Sequence, residues 1–235
     1  MCLVTNFFSC YNDSEKITSY LNDQLKITKS DKDKKNLLKL NDDSVFETDV
    51  LLVGSGCSAL YFALNAPGDL NITLISKSDF ESSDSFLAQG GICVLRDEKD
   101  FDSFFQDTLK AGHFENDRVS IEIMINSSQE VIRNLIHYGV PFQQNKDGSY
   151  AFTREGCHSN NRIMYHKDIT GKAITEALLD KVKELPNVSM YQYTTLIDII
   201  SEDKICYGGV IKTSDNKIKL IKAKNTVLAT GGIGG

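Results

Sequence analysis

Residues 48–66, TDVLLVGSGCSALYFALNA, decide the fold class of this chain. The stretch opens with a short apolar run, Asp49 to Val53, as expected of a strand buried inside a parallel sheet. The run leads directly into a glycine turn, Gly54-x-Gly56-x-x-Ala59, and the apolar residues after the turn have helical spacing. A strand, a glycine turn and a helix in this order predict the nucleotide-binding half of an α/β domain.

The chemistry of the turn supports this interpretation. Gly54 permits the tight bend, Gly56 lets the backbone approach a pyrophosphate, and the small Ala59 lets helix and strand pack closely. Free N–H groups and the helix dipole then hold the phosphate charge. A glycine-rich turn of an ordinary α/β protein is the alternative. The residues predicted to line the phosphate are Gly54, Ser55, Gly56, Cys57, Ser58 and Ala59.

The segment NITLISK, residues 71–77, predicts the second strand of the same unit. A dinucleotide fingerprint normally has an acidic residue near the end of this strand, where it bonds a ribose hydroxyl. Here the strand ends in Ser76-Lys77, which speaks against a standard NAD site. Lys77 faces either a ribose or phosphate group or plain solvent, and the sequence leaves both open.

The rest of the chain predicts three longer helices and a set of strands. Apolar residues recur at helical spacing in residues 102–112, 117–139 and 171–187, and strand-type runs occupy 188–200, 207–213, 217–223 and 225–232. The turn signal TSDN separates the second and third runs. We therefore predict a Rossmann-like α/β fold, with a parallel sheet and a small β-meander. The core positions expected on the second helix are Ile121, Met124, Ile125, Val131, Ile132, Leu135 and Ile136.

Composition excludes several classes of protein. A formal charge of -6 argues against a general nucleic-acid binder and a polybasic membrane-surface protein, and no apolar run is long enough for a membrane span. Six scattered cysteines form no C-x-x-C pair, which is typical of reduced thiols inside the cell rather than zinc or disulfide sites. We expect a cytoplasmic location.

The sequence predicts an N-terminal extension followed by one ordered domain. Residues 1–46 are rich in Lys, Asp and Asn and lack Gly and Pro, so we expect a disordered or weakly structured extension. They lack the features of a secretory signal, and they are too acidic for a usual plastid or mitochondrial transit peptide, although an atypical one stays an alternative. Ordered structure is expected over residues 47–235.

Two polar segments are candidates for a functional site. Residues 151–171, AFTREGCHSNNRIMYHKDITG, are either a solvated connection or the floor of a site, and Arg154-Glu155 is either a surface ion pair or a recognition element. His158 and Arg162 either line the same pocket or pack the loop. Ala88 to Gly91, AQGG, is either a turn or a close backbone approach to a flat or anionic group. No metal site is expected, because H-x-D alone defines no ligand set.

The order of these motifs resembles the L-aspartate oxidase family. GSGCSA, ISK, S-x-x-AQGG, TREGCHS, H-x-D-x-TG and LATGG follow one another from about residue 47 to the end of the chain. This family belongs to the superfamily of the flavoprotein subunits of succinate dehydrogenase and fumarate reductase. AQGG and ATGG are shared across the superfamily, whereas TREG-x-H is narrower.

The resemblance implies FAD as the cofactor. It places the pyrophosphate at the glycine turn and Lys77 beside the FAD, the adenine near Leu196, and the return of the last strand at Thr230, Gly231 and Gly232. Many succinate dehydrogenases and fumarate reductases bond FAD covalently to a histidine where this chain has Asp84, so non-covalent FAD is expected. The segment that would wrap the flavin is Asp84, Ser85, Phe86, Leu87, Ala88, Gln89, Gly90 and Gly91.

The resemblance also implies a reaction. Glu155 matches the glutamate near the substrate ammonium, and L-aspartate would be oxidised to iminoaspartate for NAD biosynthesis, with oxygen or fumarate as acceptor and a link to quinolinate synthase. The alternatives are a succinate/fumarate-type flavoprotein and a non-catalytic FAD-binding fragment. Because such enzymes continue beyond LATGG into a capping domain and further substrate-binding residues, we expect an incomplete N-terminal portion with little activity of its own.

Overall fold

The structure, a computed structural model, describes residues 3–4, 45–202 and 204–232. The predicted extension over residues 1–46 lies almost wholly outside the described residues, and its boundary stays a prediction. Two of its residues, Leu3–Val4, form a short strand, β1. The described chain forms two compact units, one of Met1–Asp84 with Val182–Gly235 and the other of Ser85–Lys181.

The first unit is built on a seven-stranded mixed sheet. Its strands are β1, β2 (Val45–Val53), β3 (Ile72–Ile75), β6 (Val188–Tyr191), β7 (Thr195–Glu202), β8 (Ile205–Lys212) and β9 (Ile218–Leu228). The main order is β6-β3-β2-β9-β8-β7. Strands β6, β3, β2 and β9 run parallel, while β9, β8 and β7 form an antiparallel meander and β1 pairs antiparallel with β9. The predicted α/β class with a parallel sheet and a meander is confirmed.

Strand β2 lies in the middle of the parallel part, which explains its apolar sequence. Val50 pairs with Ile72 on one side and with Asn225 on the other, and the register continues to Val53. Residues 50–53 are all buried, because backbone hydrogen bonds hold both edges and neighbours cover both faces. The strand ends at Val53 as predicted, but it begins at Val45 rather than Asp49.

Two strand predictions needed tertiary information. The run predicted over residues 188–200 is split into β6 and β7, and the runs over 217–223 and 225–232 form the single long strand β9. Strand β9 spans both parts of the sheet because its first half pairs with β8 while nearly its whole length pairs with β2. The predicted hairpin turn is confirmed by the bond from Asn216 N–H to the Thr213 carbonyl.

The helices follow the predicted pattern closely. In the first unit α1 spans Cys57–Asn65. The second unit begins within a short helix, α2 (Asp84–Leu87), and contains the strand pair β4 (Ile92–Cys93) and β5 (Ile163–Met164). Its longer helices are α3 (Phe101–Ala111), preceded by a 3-10 turn (Glu98–Asp100), α4 (Arg118–His137) and α5 (Thr170–Lys183), which ends in the first unit. None of the helices in the described ranges combines the length and apolar character needed to cross a bilayer.

One predicted core residue of α4 is exposed. Ile121, Ile125, Ile132 and Leu135 are buried, but Met124 is 47% exposed. The buried stripe continues through Ser128, whose hydroxyl accepts a hydrogen bond from Leu95 N–H. A polar residue therefore occupies a core-facing position, because it satisfies a backbone donor of the neighbouring segment.

Candidate functional site

The glycine turn after β2 is built so tightly that only glycine fits at its start. Gly54 has a φ of 120°, and a Cβ on it would lie 2.2 Å from the Ala229 carbonyl oxygen. The Gly54 N–H donates to Ile75 O at 2.9 Å, and Ala229 N–H donates to Val53 O at 2.8 Å. The ends of β2, β3 and β9 thus converge on this turn at the carboxyl edge of the parallel strands, where ligands bind in folds of this class.

The start of α1 fits a phosphate group. Gly56 is the N-cap and makes no side-chain hydrogen bond to the first turn, so no side chain of the cap competes for the amides there. Ala59 is fully buried, which brings the helix close to the sheet. The buried hydroxyls of Ser55 and Ser76 lie 3.1 Å apart and join the turn to the end of β3. The arrangement fits the pyrophosphate predicted at residues 54–59.

The other cofactor residues predicted in this unit occupy different environments. Lys77 is exposed immediately after the buried Ser76, and Asp84 is exposed as well. Asp84 Oδ2 lies 3.9 Å from the position of a Cβ on Gly231, so these two predicted residues are neighbours. Leu196 instead packs its side chain into the core of the sheet, beside Leu51. Contact of Leu196 with adenine would therefore involve the backbone.

In the second unit the AQGG segment is pinned on both sides. The Ala88 carbonyl accepts a hydrogen bond of 2.9 Å from Gly171 N–H at the start of α5. A Cβ on Gly91 would lie 2.2 Å from Ile163 Cγ2 and 2.4 Å from the Met164 carbonyl oxygen. Leu87 is 69% exposed and Gln89 is exposed, so these side chains are accessible to a ligand.

The structure brings Glu155 next to this segment. Its Oε2 atom lies 3.3 Å from the position of a Cβ on Gly90. Glu155 is itself exposed, and it begins a turn closed by the bond from His158 N–H to its carbonyl, 3.3 Å long. Cys157 occupies the left-handed region of this turn with a φ of 69°. Two segments that the sequence singled out separately, TREGCHS and AQGG, thus lie together.

Arg162 lies at the centre of a buried polar cluster in the same unit. Its side chain is fully buried, and its guanidinium makes a bidentate pair with Asp100, at 3.0 and 2.7 Å. It also donates to Asp107 at 2.6 Å and to Ser103 at 2.6 Å, and lies 3.1 Å from Nδ1 of His158. These contacts use all five donors of the guanidinium.

The cluster sets the charges of its members. Burial alone raises the pKa of Asp100, but hydrogen bonds from Arg162, Asn160 and Ser103 outweigh it and lower the pKa to about 2. Burial and then the Arg162 charge lower the pKa of His158. Since arginine only donates hydrogen bonds, Nδ1 of His158 is the acceptor from Arg162. The proton of the neutral His158 ring therefore lies on Nε2, which is 3.7 Å from Cys93 Sγ.

Sequence reasoning missed the aspartates of this cluster. Asp100 and Asp107 precede Arg162 by 62 and 55 residues, and nothing local distinguishes them from solvated helix residues. The only signal in the sequence is the spacing of seven residues between Asp100, the N-cap of α3, and Asp107 within that helix, which places both on one face. Arg162 was predicted either to line the pocket or to pack the loop; it is buried among protein groups. Within the described ranges, no three His, Cys, Asp or Glu side chains are grouped to hold a metal.

Comparison with known proteins identifies the family. The FAD binding domain matches residues 49–235. This chain belongs to that family. FAD is therefore its cofactor, and the uncapped helix start and the crowded Gly54 turn fit the phosphates of such a ligand. The resemblance stated from the motifs is confirmed by the relatives of this FAD-binding domain.

Its relatives include L-aspartate oxidases. That of Clostridium acetobutylicum is 42% identical over 189 residues, covering 80% of this chain and 43% of the relative. That of Clostridium perfringens is 44% identical over 187 residues, covering 80% and 42%. A quinol fumarate reductase structure from E. coli has a TM-score of 0.77 at 26% identity, covering 81% of this chain and 34% of that one. This chain thus spans less than half the length of each of these relatives.

Proposed function

We propose that this chain supplies FAD binding and substrate selection to an L-aspartate oxidase, which oxidises L-aspartate to iminoaspartate. The observation that carries the proposal is the position of Glu155 beside Gly90. It puts an exposed carboxylate next to the segment proposed to wrap the flavin, in a chain whose relatives include L-aspartate oxidases. In the first unit, the residues proposed to hold FAD are those at positions 54–59, 77, 84, 196 and 230–232. In the second unit, they are those at positions 85–91.

Glu155 is proposed to select the substrate by charge. Aspartate and succinate differ by one amino group, which is a cation at neutral pH. A carboxylate that binds this ammonium favours aspartate, because succinate offers no charge to pair with it. Glu155 is exposed on its turn rather than packed in the core, so its carboxylate is accessible to a small ligand.

The proposed reaction removes two electrons and two protons from L-aspartate. The C–H bond of the α-carbon and one N–H bond break as the C=N bond of iminoaspartate forms. When bound, FAD supplies the capacity to accept the hydride, and oxygen or fumarate is the proposed final acceptor. The role of this chain is to bind the cofactor phosphates, to orient the substrate amine and to select against succinate.

FAD is proposed to be held without a covalent bond. Asp84 is exposed beside Gly231, and a carboxylate cannot form the bond that a histidine makes to the flavin in many related enzymes. Acid denaturation of the loaded protein should therefore release all of the flavin into the supernatant. Flavin that stays with the precipitated protein would contradict this.

The location and the partner protein are also proposals. A cytoplasmic location rests on the composition and on cysteines that form no disulfide pattern. A plastid or mitochondrial location is the alternative, and a fluorescent fusion would distinguish them. The link to quinolinate synthase rests on the proposed reaction alone, and co-purification would test it.

The decisive experiment is Glu155→Gln in the FAD-loaded protein that carries this chain. The amide keeps the shape and removes the charge, so kcat/KM for aspartate should fall at least about tenfold, the worth of a charge-assisted hydrogen bond. Fumarate reduction should change less than about threefold, and the flavin absorbance should stay. Glu115→Gln, an exposed glutamate of the same unit, is the matched control and should behave as the parent protein.

The result also separates the two enzyme classes. If Glu155→Gln oxidises aspartate normally, the ammonium role is wrong. Fumarate reduction with no aspartate oxidation in the parent protein would favour a succinate/fumarate-type enzyme. The E. coli fumarate reductase shares the fold, so the fold by itself does not choose between them.

A further inference from the structure

We propose that Arg162 is a positioning residue for this reaction, holding the turn that carries Glu155 against helix α3 through Asp100 and Asp107. The inference rests on the proposed function, because it assigns the support of the proposed ammonium-binding carboxylate. Arg162 itself is fully buried among protein groups and acts through other residues.

The loop that carries Glu155 has few internal constraints. Its base is closed by two backbone bonds between Thr153 and Ile163, of 2.9 and 3.1 Å. Between these two residues the chain forms no helix or strand, and a single backbone hydrogen bond lies within it, the long one from His158 N–H to the Glu155 carbonyl. A loop of this kind takes its shape from side-chain contacts with a rigid neighbour.

Helix α3 supplies that neighbour. Asp107 accepts from Ser159 twice, from its N–H at 2.7 Å and from its hydroxyl at 2.6 Å. Asn160 donates to Asp100 at 2.7 Å. Asp100 is the N-cap of α3 and Asp107 lies within the helix, so the two carboxylates anchor the loop at two points on a rigid element.

Arg162 joins these anchors to the turn. One guanidinium nitrogen contacts both Asp107 and Nδ1 of His158, and His158 N–H closes the Glu155 turn. Two carboxylates so close together repel each other unless a cation lies between them, and Arg162 is that cation. A lysine lacks the planar fork needed for the bidentate pair and for the additional bonds.

The test uses Asp107→Ala, which removes one anchor and leaves the bidentate Arg162–Asp100 pair in place. In the FAD-loaded protein we expect KM for aspartate to rise about tenfold with FAD affinity unchanged, since a positioning error of about 1 Å can cost a hundredfold. Fumarate reduction should change less than about threefold. Asp102→Ala, an exposed aspartate on the same helix, is the matched control. Ser159→Ala is a milder second variant, and it should give a smaller shift in the same direction.

Two further measurements separate positioning from general stability. In a Glu155→Gln background, Asp107→Ala should have no further effect on aspartate, because the group it positions has lost its charge. Hydrogen exchange at the His158 and Ser159 amides should accelerate in Asp107→Ala and not in Asp102→Ala. An equal loss for aspartate and fumarate, an undiminished effect in the double variant, or unchanged exchange would overturn the proposal.

The outcomes distinguish this inference from the proposed function. If Glu155→Gln has no effect on aspartate, the proposed function fails whatever Asp107→Ala does. If Glu155→Gln lowers aspartate oxidation while Asp107→Ala leaves it unchanged, the proposed function stands and the positioning role of Arg162 is wrong.

Discussion

At the scale of single residues, two adjacent glycines have different reasons to be glycine. Gly91 has no room for a side chain, because a Cβ would overlap Ile163 and the Met164 carbonyl of strand β5. Gly90 faces only the far end of the Glu155 side chain, at 3.3 Å, which can move. Gly91 is thus required for packing, whereas Gly90 leaves space for a carboxylate.

We therefore expect Gly91→Ala to destabilise the protein by about 2 kcal/mol, because β4 must move away from β5. The free energy of unfolding of Gly90→Ala should lie within about 0.5 kcal/mol of that of the parent protein, since only a flexible side chain has to shift. Urea unfolding followed by circular dichroism measures both. Equal losses of stability in the two variants would contradict this view of the segment.

At the scale of elements, the junction of β2 and α1 combines stability and ligand binding. The Gly54 backbone has a φ of 120°, and it passes within contact distance of Ala229 at the end of β9. The turn therefore holds the carboxyl ends of two neighbouring strands together and aims the uncapped start of α1. A change in the turn should affect the sheet and the cofactor together.

Gly54→Ala should weaken FAD binding at least about tenfold and should also lower stability. A Cβ there would lie 2.2 Å from a backbone oxygen, and a φ of 120° is strained for any residue with a side chain. Titration of the apoprotein with FAD, followed by flavin fluorescence, measures the affinity. Gly68→Ala is the control, since a Cβ at Gly68 has no neighbouring atom within 4 Å. The explanation is wrong if Gly54→Ala binds FAD as tightly as the parent protein.

At the scale of the whole molecule, the Arg162 cluster links the stability of the protein to pH. Arg162 and its neighbours hold the pKa of Asp100 at about 2, below the usual 3.8, and the pKa of Asp107 is lowered as well. A carboxyl whose pKa is lower in the folded state stabilises that state above pH 3.8. The stabilisation is lost as the pH falls through the folded value.

The urea midpoint should accordingly fall between pH 4 and pH 2, and Asp100→Asn should show a shallower fall. The variant should also be about 3 kcal/mol less stable at neutral pH, because a buried arginine loses its bidentate partner. Part of the fall of the urea midpoint with pH should remain in Asp100→Asn, because Asp215 in the β8–β9 hairpin also has a pKa lowered to about 2. The main cause there is the hydrogen bond from Lys217. An unchanged slope in Asp100→Asn would show that other carboxyls govern the acid response.

The amino-acid sequence by itself determined the features that depend on neighbours along the chain. Strand β2 ends at Val53 and the glycine turn leads into α1, as the sequence predicts. The three signals, an apolar run, a glycine turn and helical spacing, all lie within about twenty consecutive residues. The helices α3, α4 and α5 were predicted for the same reason. The motif order also pointed to FAD, because each motif is short and contiguous.

Only the tertiary structure decided what depends on contacts between distant segments. The fusion of two strand runs into β9 depends on pairing with β2 and β8, which provide hydrogen-bond partners for the backbone N–H and C=O groups of a lysine-rich stretch. The exposure of Met124 and the burial of Ser128 depend on which groups face α4. Arg162 finds its carboxylates 62 and 55 residues away, and Glu155 lies beside Gly90, because hydrogen bonding and packing act through space and leave no periodic trace in the chain.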